Sequence, residues 1–181
     1  MSFEIIDTEE IYKGRAFRIQ RLSVNGPDGK EIHYDLVKHP GAVALVPLDE
    51  QGRILFLSQY RIGVGQSLLE IPAGTLEPGE DPADCAAREL REETGMAARS
   101  IRKLGDFFLA PGYSSECLHI FLATDLYYSP LEADADEYLQ LEPMSVSEAY
   151  RMAQRGEFHD GKTLAALLLA MPHLMPGMPE G

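Results

Sequence analysis

Residues 74–96 read GTLEPGEDPADCAARELREETGM, and the way this stretch must fold decides the rest of the chain. Asp81 followed by Pro82 opens a helix: the aspartate can cap unpaired N–H groups, and proline suits the first helical position. Gly95 closes it, because a left-handed stop costs glycine least. At about 100° per residue, Ala83, Ala86, Ala87, Leu90 and Thr94 gather on one side. They are small, so the helix can lie close to a sheet. Glu89, Glu92 and Glu93 gather on another side, with Cβ atoms about 5–6 Å apart. Carboxylates that close repel, and two arrangements relieve them. One is a solvated face with Asp84–Arg88 and Arg88–Glu92 as i,i+4 ion pairs. The other is a hard divalent cation, which takes oxygen ligands and phosphate together. Acids on one rigid helix can hold ions about 3.5–4 Å apart, a spacing suited to in-line displacement at phosphorus.

Upstream of this stretch the sequence is strand-like. Phe3 to Asp7, Ala16 to Val24 and Glu31 to Lys38 read as strands, the last two joined by the turn-rich Asn25-Gly26-Pro27-Asp28-Gly29. His39-Pro40-Gly41 breaks the pattern. Residues 1–40 are therefore expected as a small N-terminal antiparallel β subdomain, with a main domain over 41–174 and a flexible tail over 175–181. Ala42 to Pro47, Arg53 to Gln59 and Leu68 to Ile71 follow as apolar strands. Downstream, Lys103 to Leu109, Leu118 to Leu126 and Tyr138 to Pro143 continue the strands. Ser145 and Glu148 have capping-box spacing for a helix to Arg155. Asp160 to Met171 reads as a last helix halted by Pro172. Strands and helices alternate too loosely for strict βαβ units, so the expectation is an α/β fold layered around a mixed sheet.

The 181 residues carry a formal net charge of −13. An acidic chain repels polyanions, which disfavours nucleic acid and anionic membranes as partners. A small phosphorylated ligand is compatible if cations offset its charge. Two cysteines, Cys85 and Cys117, make no disulfide framework. No segment has the length and apolarity of a signal or a membrane span, and a cytoplasmic location is expected.

Gly74, Glu80, Arg88-Glu89-Leu90, Glu92-Glu93 and Gly95-Met96 stand at the spacing G-x5-E-x7-R-E-U-x-E-E-x-G-U, where U is aliphatic. This resembles the box of the Nudix hydrolase family, with every specified position filled. The resemblance implies a Nudix-type mixed sheet layered between helices, and Glu89, Glu92 and Glu93 as ligands of Mg2+, for which Mn2+ can substitute. It adds the backbone carbonyl of Ala73 as a further ligand and gives Glu80 a structural pairing with Arg88.

Outside the box, Ala110-Pro111-Gly112-Tyr113-Ser114-Ser115-Glu116 is similar to the S-P-G-x-[ST]-x-E loop of the family's ADP-ribose pyrophosphatase group, with alanine in place of the first serine. Glu70-Ile71-Pro72-Ala73-Gly74, Gln59-Tyr60-Arg61 and Asp160-Gly161-Lys162-Thr163 also resemble that group. Carried over residue by residue, Glu116 is the general base, with Glu92 as the other catalytic acid. Arg61 clamps diphosphate or ribose, and Glu77 meets a ribose hydroxyl or assists the metals. Arg15, Phe17, His33 and Asp35 stand where a base pocket is built, and the N-terminal unit is exchanged in a homodimer. Phe17 equally suits core packing, and His33 an exposed strand position. The reaction implied is hydrolysis of ADP-ribose to AMP and ribose 5-phosphate. Alternatives are another nucleotide sugar such as GDP-mannose, or a nucleotide sensor without turnover.

Overall fold

The computed structural model describes residues 2–132 and 138–175. Among them run ten strands and three helices: β1(Glu4–Lys13), β2(Arg18–Asn25), β3(Glu31–Lys38), β4(Ala42–Pro47), β5(Arg53–Arg61), β6(Gln66–Glu70), β7(Ala73–Thr75), α1(Pro82–Thr94), β8(Met96–Phe108), β9(Cys117–Tyr128), β10(Leu139–Ser145), α2(Val146–Arg155) and α3(Gly161–Leu174). They form an antiparallel sheet β1-β2-β3, a second sheet β10-β5-β6, and a four-stranded sheet β7-β4-β9-β8.

The four-stranded sheet is mixed: β4 runs parallel to β9, while β7 and β8 pair antiparallel on either side. Both faces of β4 are buried. Val43 and Leu45 face α1 through Cys85, Ala86 and Leu90. Ala42, Ala44 and Val46 face the other way, into a cluster with Phe56, Ile120, Tyr150, Leu167 and Ala170 from α2, α3 and neighbouring strands. A strand covered on both sides reads as an unbroken apolar run, which is why Ala42–Pro47 is legible without alternation. In the larger cluster Phe56 and Phe158 stack at 5.3 Å, a contact contributing about 0.5–1.5 kcal/mol beyond the area it buries.

Several expectations shift. β8 begins at Met96, well before Lys103, because it is an edge strand whose Arg99 and Ser100 face solvent and carry no apolar signal. β7 escapes the reading because it is three residues long and follows a proline. Pro172 does not halt α3, which continues to Leu174. The carbonyl that Pro172 cannot serve belongs to Leu168, which is exposed, so the interruption falls on the outer side of the last turns. Met175, the first tail residue, packs against the larger cluster, and residues 176–181 lie outside the described part.

A short ladder joins the N-terminal sheet to the main body. Val37 on β3 accepts from the Ser115 N–H at 3.0 Å and donates to the Tyr113 carbonyl at 2.8 Å. Ser115 Oγ accepts from the His39 N–H at 3.0 Å. The loop between β8 and β9 is thus stitched to the end of β3.

At the start of α3, Asp160 caps the helix by accepting from the Thr163 N–H, and its carboxylate also takes the Thr163 hydroxyl at 2.6 Å. Thr163, wholly buried, accepts in turn from the Ile71 N–H at 3.0 Å. Thr163→Val keeps the shape but strands that N–H. It should lower stability by about 1–3 kcal/mol in denaturant melts, the cost of one buried unmet donor; an unchanged midpoint would show that the link contributes nothing.

Candidate functional site

The capping signals act as read. Asp81 accepts from the Ala83 N–H, Pro82 follows, and Gly95 closes α1 at φ 73° with its N–H on the Arg91 carbonyl. The buried stripe differs from the small-residue face expected. Ala83 is exposed, and Cys85, Ala86, Glu89, Leu90 and Glu93 turn inward. The helix lies over the β7–β4 edge of the sheet, so two of the three acids face protein.

Gly74 explains how they fit. A Cβ on it would stand 1.9 Å from the Glu89 carboxylate carbon. No side chain other than hydrogen fits there, and no left-handed backbone is involved: close approach is the reason for this glycine. Glu93 Oε2 accepts from the Ala73 N–H at 2.9 Å. Both acids are therefore nearly enclosed, at 7% and 9% exposure, against a single turn of strand.

Arg88 organises the flank. It grips Glu80 through Nε at 2.9 Å and Nη2 at 3.0 Å, and its Nη1 reaches Glu89 at 2.7 Å and Glu92 at 2.8 Å. Glu80 in turn accepts from the Glu77 N–H, closing the loop ahead of α1. The Arg88 hydrogen bonds, with that backbone bond, hold the Glu80 carboxyl down at about 2. Its acid partners keep Arg88 charged. Burial, aided by the hydrogen bond to Glu80, pushes the Cys85 thiol up to about 12, so it stays protonated.

Beside this edge opens a cleft of about 730 Å³. Arg61, Ala73, Gly74 and Glu116 line it, as do Glu70, Asp160 and Lys162. Glu70 is buried at the end of β6, yet it carries a bidentate pair with Arg61 at 2.9 and 2.7 Å and a contact from Lys162. Burial alone would raise its pKa, but the hydrogen bond from Arg61 and the charge of Lys162 outweigh it and leave the net shift downward. Arg61 is held cationic by the same bond, with its side chain two-fifths exposed at the cleft wall. Glu116 is partly buried and anchored by its N–H to Ser114 Oγ at 3.2 Å.

The remaining sequence candidates lie apart. Arg15, Phe17 and Glu77 line a second cavity of about 580 Å³ between the N-terminal sheet and the loop before α1. Asp35 pairs with Arg21 at 3.3 Å, and His33 with the Ser23 hydroxyl at 3.1 Å, both on the N-terminal sheet away from the cleft. Glu70 and Lys162 were not singled out as site residues. Both stand in segments that resemble the ADP-ribose pyrophosphatase group, but nothing local in the sequence marks a glutamate ending an apolar strand or a lysine just inside a helix cap as partners.

The cleft brings two cationic side chains, Arg61 and Lys162, together with oxygen donors, an arrangement that suits a charged phosphorylated ligand. A model of the NUDIX domain matches residues 38–167. The chain is 36% identical to an ADP-ribose pyrophosphatase of Bacillus subtilis (strain 168), over 90% of this chain and 89% of that one. It is 38% identical to an ADP-ribose pyrophosphatase of Mycobacterium tuberculosis, over 92% and 82%. A solved ADP compounds hydrolase superposes with a TM-score of 0.84, at 25% identity, covering 96% of this chain and 95% of the other.

Glu80 makes an acid-side prediction. Its carboxyl falls from 4.5 to about 2 on folding, so its contribution is complete above 4.5 and fades as pH falls toward 2. Glu80→Gln should be less stable than the native chain at neutral pH, with the gap narrowing through that window in denaturant titrations. A gap independent of pH would mean the pairing is not what stabilises the loop.

Proposed function

This chain belongs to the Nudix family of pyrophosphohydrolases, and from that premise we propose that its substrate is ADP-ribose, split by water into AMP and ribose 5-phosphate. The observation that carries the reading is the enclosure of Glu89 and Glu93 against Ala73–Gly74, at the head of a cleft walled by Arg61 and Glu116. The names of the relatives favour ADP-ribose over other nucleotide sugars.

Nudix hydrolases use divalent metal ions, and the residues here fit one. The donors are oxygens only, which selects a hard ion, and we propose Mg2+, with Mn2+ able to replace it. Glu89, Glu92, Glu93 and the Ala73 carbonyl would hold it. The absent side chain of Gly74 lets the Glu89 carboxylate sit against the strand beside the Ala73 backbone. When bound, the ion offsets diphosphate charge and makes water more acidic.

The chain's own groups do the rest. Arg61, set by Glu70, presents its guanidinium to the diphosphate, and Lys162 adds charge to the same wall. As water attacks one phosphorus and the bond to the bridging oxygen breaks, the Glu116 carboxylate receives the water proton. Glu92 supports the departing group by keeping Arg88 and the acid row in place. Arg15 and Phe17 hold the base from the second cavity, together with Glu77 at the ribose; His33 and Asp35 reach substrate only if a second subunit brings them there.

A homodimer that exchanges the unit over residues 1–40 completes this picture. In favour of it, every residue of β1 is exposed, and Phe3, Ile5, Ile6, Ile11 and Tyr12 leave their apolar surface uncovered. So many apolar side chains on one small sheet mark an association surface. Among the described residues no helix is long and apolar enough to cross a membrane. The cytoplasm is the compartment proposed, since both thiols are free.

With magnesium, purified protein should release AMP and ribose 5-phosphate from ADP-ribose faster than it cleaves GDP-mannose, as read by product chromatography. Faster cleavage of GDP-mannose reassigns the substrate, and tight binding without turnover makes the protein a sensor. Glu93→Gln should cut kcat by orders of magnitude while still melting cooperatively. Glu116→Gln should lose roughly 10²-fold or more and keep its magnesium affinity by calorimetry. Separately, sedimentation equilibrium at micromolar concentration should give a dimer, and charged residues at Ile5 and Ile11 should dissociate it. A monomeric native chain would remove the shared site.

A further inference from the structure

On the α1 side of the mixed sheet lies a cluster that the cleft does not use. Asp106 on β8 pairs directly with His119 on β9, and Cys117 precedes His119 by two residues on the same face. One carboxylate oxygen, one imidazole nitrogen and the thiol come within 4.8 Å of one another. A β-bulge between Lys103 and Gly105 resets the alternation of β8. It puts Lys103 and Asp106 on one face, 2.5 Å apart. His119 is partly buried, and its Nδ1 is the one buried side-chain polar atom without a hydrogen-bond partner among the described residues. Such an atom is costly to leave unmet.

We propose that Asp106, Cys117 and His119 form a second cation site that takes a borderline transition-metal ion of the zinc class, with water in the fourth position. One sulfur, one nitrogen and one oxygen donor are a set that zinc-like ions accept and magnesium does not. Bonds of about 2.0–2.3 Å around a tetrahedral ion draw donors to roughly 3.5 Å apart, which asks only for side-chain rotation from the present spacing. Binding releases the Cys117 proton to solvent, because the thiolate is the ligand. Burial holds that thiol above its usual value. Lys103, half exposed, turns from Asp106 into water.

The site is distinct from the acids of α1. Gly74, Val43, His119 and Asp106 lie in one register row across the sheet. Two strand spacings, about 10 Å, therefore separate His119 from Gly74. Cys117 directly follows Glu116, so an ion here fixes the strand end from which that loop departs. The proposal stands whatever the substrate of the cleft.

Cobalt(II) is the probe, added to the full chain with excess magnesium occupying the acids of α1. A thiolate-to-cobalt charge-transfer absorption should saturate at one equivalent and disappear on adding zinc. Cys85→Ser and Glu93→Gln should keep it. Cys117→Ser and His119→Gln, each shown to melt like the native chain, should lose it, and Asp106→Asn should need more cobalt to saturate. No band in the native chain, a band that survives Cys117→Ser, or one lost in Cys85→Ser or Glu93→Gln overturns the site. If Cys117→Ser does not fold, His119→Gln decides, since its thiol is intact: native affinity there is the overturning result.

Discussion

A carboxylate can be buried only where something meets its charge, and in this protein the strand turn at Ala73–Gly74 makes that possible for two of them. The absent side chain of Gly74 leaves the volume that the Glu89 carboxylate occupies. One residue earlier, a backbone N–H meets Glu93. Arg88 completes the balance from the flank, spanning Glu80, Glu89 and Glu92. The close approach of α1 to the sheet follows from this contact, and the Glu80–Arg88 pair closes the loop before it. A helix with its acids turned outward would be stable too, but it would leave nothing for a cation to bind at the sheet edge.

Opposite that edge, the cleft is built by a third buried acid. Glu70 ends β6 in a place where an isolated charge would be expelled. Arg61 and Lys162 make it tenable, one from the neighbouring strand and one from the first turn of α3. The two cations are thereby fixed before any ligand arrives, which lowers the ordering cost of binding. α3 is tied to the same point by Thr163, whose hydroxyl meets the Ile71 backbone.

How much of this was legible follows from how local each signal is. The ends of α1 and α2 are set by caps within a few residues, and they fall where the sequence puts them. β3 and β4 also match, one flanked by turn chemistry and the other covered on both faces. The start of β8 was not legible, because an edge strand with polar side chains shows no apolar period. The inward face of α1 was misread for a related reason: periodicity sorts residues by polarity, while here the buried stripe includes glutamates. The Glu70–Lys162 contact joins residues 92 positions apart. No spacing rule reaches that far, so Arg61 and the acids of α1 could be read from the sequence, while the buried Glu70 that joins Arg61 to Lys162 could not.

The stitch between β3 and the loop ahead of β9 has a mechanical meaning. Val37, Tyr113 and Ser115 make the first forty residues and the loop bearing Glu116 a single backbone ladder. A shift of the outer sheet along its own strands is therefore transmitted as a displacement of that glutamate, with no intervening hinge. The appended sheet acts as a lever on Glu116, the residue proposed to take the proton, and grafting a foreign sheet in its place would retune the lever even if every side chain in the cleft were kept.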